Sequence, residues 1–309
     1  MRRTGRHFPG GNSRPDAAQK GTSDHSKEGS YGSSFERAFV SLLAVTTGVI
    51  LIYLAIRGPF FLDSIKYKTA AVINNQLIGQ DVVNLFLLSP ILIIGGIALF
   101  LKKGISIFLL IATPLYLMYF VLSYTIGWEW SSPNYSGNSH LYTFYFLFIL
   151  IASLIILLYS LSAFPKNVVS HFKKRGLAVY SVLFSLFLLV FAAMWIKEIR
   201  EVMATGSARG YDIAPTSFWL VRIFDLGFSM PLGLLSVYLL WVRPDTAFPL
   251  VCMFYGFFFT QIIAVNAMGW MMFLRGDPTF LMRDLVVFSI LALIIFFGFF
   301  YIRKNYKVG

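Results

Sequence analysis

Eight apolar runs, each close to the roughly 20 residues needed to cross a bilayer, recur along this 309-residue chain, and no other feature restricts its fold so strongly. Inside lipid a backbone must satisfy its own hydrogen bonds, so runs of this length are helices. A membrane barrel would instead show short alternating segments, and none appear. The composition agrees. The chain is 57% hydrophobic and 13% charged, against about 25% charged for soluble domains. The reading is an all-α, polytopic membrane bundle with spans near 38–56, 82–101, 105–127, 141–164, 177–196, 215–242, 247–273 and 281–302.

Residues 1–35 are rich in Gly, Ser, Arg and Lys and poor in large apolar side chains. Such a segment buries too little surface to offset its ordering entropy, and is expected to be a disordered cytoplasmic tail. It does not read as a signal peptide, because the first apolar run begins only near Ala38. With this tail inside, the inner segments hold 17 of the 26 Lys and Arg residues and the outer ones 8, Arg222 falling within a span. That bias predicts both termini inside a cell membrane. It also assigns the net charge of +12 to contacts with anionic lipid headgroups on the cytoplasmic side, with no nucleic acid as partner.

The second half echoes the first. Asp81, Asn84, Leu85, Pro90 and Lys102 are matched by Arg222, Asp225, Leu226, Pro231 and Arg243, each 141 residues later. Gly127-Trp128 and Gly269-Trp270 end spans 3 and 7, and Lys166-Asn167 resembles Lys304-Asn305. A tandem 4+4 parallel repeat is expected, with one copy over 36–168 and the other over 174–305, related by a pseudo-twofold axis along the membrane normal.

Ionisable residues inside spans cost roughly 2.5–3.5 kcal/mol each on insertion scales, which makes them functional candidates. Arg222 and Asp225 share a face of span 6 and are close enough to neutralise each other. Two readings fit the pair: a structural ion pair, or a site that touches a ligand or ion. Asp81 and Asn84 occupy the matching face of span 2, and a pseudo-axis would bring Asp81 toward Arg222. Asp81, Asn84, Arg222 and Asp225 are therefore the candidate ligand-binding residues. Glu129, His140, Glu198, Glu201, Arg283 and Asp284 gather on the same outer side and read as interfacial. Trp128, Trp130, Trp195, Trp219 and Trp270 fit an aromatic belt, and Gln261 and Asn266 fit interhelical hydrogen bonding.

No HExxH, GxSxG or GxxxxGK[ST] pattern occurs, all four histidines lie in the tail or loops, and Cys252 is the only cysteine. No metal or cofactor site is therefore expected, and the catalytic residues, if the chain is an enzyme, are not identified by these signatures. The segment Gln80-Asp81-Val82-Val83-Asn84-Leu85 with Pro90, Lys103-Gly104, the tyrosines 116, 119 and 124, and Phe224-Asp225-Leu226 with Pro231 resemble a family of prokaryotic multi-pass membrane proteins with no established activity. The resemblance covers most of 37–305 and implies the architecture without a reaction. The leading expectation is binding or transport of a small polar solute or protons at an outward-facing polar site. The alternatives are a membrane enzyme acting on a lipid or isoprenoid, and a non-catalytic assembly protein.

Overall fold

A computed structural model describes residues 32–70, 73–127 and 136–308. The expected tail falls outside these residues up to position 31, as do Trp128, Glu129 and Trp130. Among the described residues, eight helices are long and apolar enough to cross a membrane. They are α1 (Ser34–Arg57), α2 (Asn74–Phe100), α3 (Ile105–Gly127), α4 (Ser139–Ser162), α5 (Lys174–Thr205), α6 (Pro215–Val242), α7 (Pro244–Leu274) and α8 (Met282–Lys304).

Local chemistry fixes several of the ends. Ser33 and Glu36 form a reciprocal capping box at the start of α1. Gly206 closes α5 with φ of 73°, a left-handed geometry that glycine adopts without a Cβ penalty. Pro215 and Pro244 start α6 and α7, where a missing N–H costs nothing. Two boundaries differ from the hydropathy reading. Helix α2 begins at Asn74 rather than 82, and α5 runs to Thr205 rather than 196. Polar residues end an apolar run, but they do not end a helix once it projects past the lipid.

Proline also reshapes two helices from within. A proline cannot donate to the carbonyl four residues back, and its ring crowds that carbonyl. Ahead of Pro90 the α2 backbone widens into a π turn over Asn84–Leu88, with Ser89 N–H reaching Asn84 O. Ahead of Pro231 the α6 backbone does the same over Asp225–Ser229, with Met230 N–H reaching Asp225 O. A third π turn, Ser123–Gly127, ends α3.

Helices α1 to α4 close into a ring, α1 packing on α2 and α4, and α3 on both α2 and α4. Helix α7 is the hub, touching α2, α3, α6 and α8. Two glycines allow backbone-to-backbone approach there. A Cβ on Gly79 would sit 2.5 Å from the Met268 backbone, and one on Gly256 would sit 2.3 Å from Ala112 Cα. One continuous apolar core runs through both halves. Helices α4, α5 and α8 lie at the periphery, and many of their large apolar side chains face outward, as lipid contact requires.

The two ends of the bundle differ. At one end, β1 (Val168–Ser170) pairs antiparallel with β2 (Tyr306–Val308), Ser170 opposite Tyr306. Asp245 accepts the Ser170 N–H at 2.8 Å, and Tyr306 donates its hydroxyl to Pro244 O at 2.5 Å. Burial pushes the Tyr306 hydroxyl above the ordinary phenol range, so it remains a donor. This sheet end joins the segment after α4, the turn between α6 and α7, and the segment after α8. At the opposite, loop end, Asn138 receives Lys66 N–H at 2.8 Å and donates to Ser64 O at 2.9 Å. Asn75 there donates to Asp277 at 2.8 Å.

Candidate functional site

The four residues singled out by sequence fall into two buried polar clusters, both in the half of the bundle nearer the loop end. The first lies on α6 facing α5. Arg222 and Asp225 sit within the first three turns that follow Pro215, Asp225 about 15 Å along the axis from it. Arg222 forms an ion pair with Glu198 of α5 through Nε and Nη2. Its guanidinium lies 4.3 Å from the Trp195 ring centroid and 3.8 Å from that of Phe218. Nη1 also donates to Phe218 O at 3.3 Å. The side chain of Arg222 is 12% exposed and that of Glu198 is 34% exposed.

Asp225 does not take Arg222 as its partner, contrary to the intrahelical pair expected from spacing. The Cα–Cβ bonds of a helix tilt toward its N-terminus, so Arg222 leans toward the loop end and Asp225 lies a turn behind it. The aspartate instead accepts Trp195 Nε1–H at 2.9 Å and the Ser229 hydroxyl at 3.4 Å. It is 6% exposed. No cationic side chain among the described residues lies within ion-pair distance of it.

The second cluster lies on α2. Asp81, 4% exposed, accepts the backbone N–H of Phe60 at 3.2 Å, in the turn that follows α1. A Cβ on Gly58 would meet its carboxylate at 2.3 Å, so glycine there is what admits the group. Asp81 likewise has no cationic partner among the described residues, and no bond joins it to Arg222. Asn84 accepts Gln80 Nε2–H at 2.8 Å, and Gln80 Oε1 accepts the Tyr116 hydroxyl at 2.7 Å. The Ser89 hydroxyl closes the chain on Asn84 O at 2.6 Å.

Helix α3 stands between the clusters. Tyr119 lies 6.2 Å from Tyr116 and 5.6 Å from Phe224 of α6, ring to ring. The Tyr124 hydroxyl nearby is buried without a hydrogen-bond partner. Of the interfacial residues expected, His140 and Glu201 are exposed, and Arg283 pairs with its neighbour Asp284 at 3.4 Å. Asn266 fits its expected interhelical role, donating to Phe288 O and accepting from Ser289 of α8.

Sequence reading missed Trp195 and Glu198 as members of the site, placing them in the aromatic belt and the interface. A signal existed. They stand three residues apart on α5, as Arg222 and Asp225 do on α6, so each helix offers one face with two polar groups. Among the described residues, no group of three or more His, Cys, Asp or Glu could hold a metal ion. No protein-family model matches the chain, and neither a curated protein nor a solved structure matches it.

Proposed function

We propose that this multi-pass membrane protein binds or transports protons or a small polar solute through the polar layer at its loop end, with Asp225 and Asp81 as acceptors. The observation that carries this reading is the division of charge. Arg222 is paired with Glu198 and reaches Asp225 only as a neighbouring charge, so neither Asp225 nor Asp81, both almost fully buried, has an ion-pair partner among the described residues. A buried carboxylate without a counter-charge is costly enough that a proton or another cation must neutralise it. Groups that must be neutralised at membrane depth are the ordinary material of ion and proton pathways.

A tandem repeat supports placing both acids in one mechanism. The π turns begin at Asn84 and Asp225, 141 residues apart like the sequence matches. The same offset relates Arg57 to Glu198 and Asp81 to Arg222, so the basic and acidic members of the two helix pairs are exchanged between copies. Each copy then contributes an acid, at different depths in the layer. In this reading the basic sheet end, with Lys102, Lys166, Lys173, Arg243 and Lys307, faces the cytoplasm and anionic headgroups.

Reconstitution into proteoliposomes loaded with a pH-sensitive dye, under a potassium diffusion potential, tests the reading. Wild-type protein is expected to dissipate an imposed proton gradient, and Asp225→Asn and Asp81→Asn each to abolish this. Dissipation unchanged in both variants would overturn the reading.

A further inference from the structure

Resting on that reading, we infer that the solute class is a weakly hydrated organic cation, of guanidinium or quaternary ammonium type, and that Arg222 occupies its binding cage as an internal stand-in. Trp195 and Phe218 present their ring faces to the guanidinium at 4.3 and 3.8 Å, and Glu198 supplies the counter-charge. Two aromatic faces and one carboxylate are the recognition chemistry of alkylated or delocalised cations. Nothing in that set requires the cation to be covalently attached to α6.

Three further features suit exchange rather than a permanent clamp. Glu198 is 34% exposed, so the counter-charge can be reached from the loop end. Gly210 covers the cage there with backbone alone, a Cβ on it coming only to van der Waals contact with Arg222 Nη2 and the Phe218 ring, at 3.7 and 3.6 Å, so Gly210 itself puts no side chain in the approach. Finally, a displaced Arg222 has somewhere to go. Asp225 lies one turn away on the same helix, buried and without an ion-pair partner among the described residues, and Trp195 touches both sites by stacking on Arg222 and donating to Asp225. An arriving cation would take Glu198 and the two rings, while Arg222 crosses to Asp225.

The experiment is titration of purified protein, in a detergent without choline groups, with tetramethylammonium and with guanidinium, read by the Trp195-dependent part of the fluorescence (wild type minus Trp195→Phe) and by calorimetry. Arg222→Ala empties the cage and is expected to bind the probes at least about tenfold more tightly than wild type. Glu198→Gln in that background should weaken binding about tenfold, the effect of losing one desolvated contact of this kind. Asp225→Asn in the otherwise wild-type chain should also weaken binding, because the displaced Arg222 then lacks a receiver. Should Arg222→Ala not remain monodisperse, Arg222→Gln serves in its place. Equal probe binding in wild type and the emptied variant, or none in either, would overturn the inference.

Repeating the titration in nanodiscs distinguishes the sources of such a cation. Loss of probe binding in phosphatidylcholine but not phosphatidylglycerol assigns the cage to a lipid headgroup; equal binding in both assigns it to a free solute. Proton flux that depends on Asp225 without any cation binding would sink this inference alone, whereas loss of both would sink the proposed function as well.

Discussion

Arg222 and Glu198 illustrate how unequal the two halves of an ion pair can be. The guanidinium is enclosed by Trp195 and Phe218, while the carboxylate is one-third exposed. Removing the acid strands an enclosed charge; removing the base leaves an acid that can turn to water. Glu198→Gln is therefore expected to cost about 1–2 kcal/mol of stability, and Arg222→Gln less. Joint replacement by Glu198→Leu and Arg222→Met should fall near neutral, since matched apolar groups remove the desolvation penalty on both sides. Thermal unfolding of the three variants in one detergent checks the order, and a larger loss for Arg222→Gln than for Glu198→Gln would contradict it. This scale was only half legible in the sequence. A charge inside an apolar run announces itself, so Arg222, Asp225 and Asp81 were found. The partner of Arg222 sits 24 residues upstream on another helix, and a choice between a near acid and a far one depends on side-chain direction that spacing does not carry.

Among the elements, α7 does most to hold the two halves together, and it does so through glycines rather than bulk. Gly79 admits the α7 backbone against α2, and Gly256 admits α3 against α7. Gly79→Leu would drive a side chain into the Met268 backbone. The expected result is separation of α2 from α7, loss of the Asn75–Asp277 bond and a destabilisation of roughly 2–3 kcal/mol, the upper range for overpacking. A cross-link between cysteines placed at Asn75 and Asp277 would report it, efficient in the parent and poor in the variant. The contact of α6 with the end of α3 is looser, a Cβ on Gly127 meeting Ser217 at 3.6 Å. Whole helices were legible because lipid demands long apolar runs. The π turns were not, because a proline in an apolar run signals a kink without stating how the backbone will absorb it.

At the scale of the molecule, the sheet end and loop end make opposed surfaces. In a Cys252→Ala background, single cysteines at His171 and Lys307 should react with a membrane-impermeant thiol reagent from the same side. One at Asn138 should react from the other side. Reaction of His171 and Lys307 from opposite sides would break the eight-span reading. The fold class was legible from hydropathy alone, whereas the β1–β2 contact was not: three-residue strands carry almost no pattern, and their pairing joins positions far apart in the chain. That pairing also orders the protein's assembly. Strand β2 follows α8, so its partner segment must wait, hydrated and unlatched, until α8 has entered the bilayer. The clasp over Pro244 and Asp245 thus closes only after α8, and a chain stalled before α8 would present an unfastened edge at the membrane surface that quality-control proteases could grip.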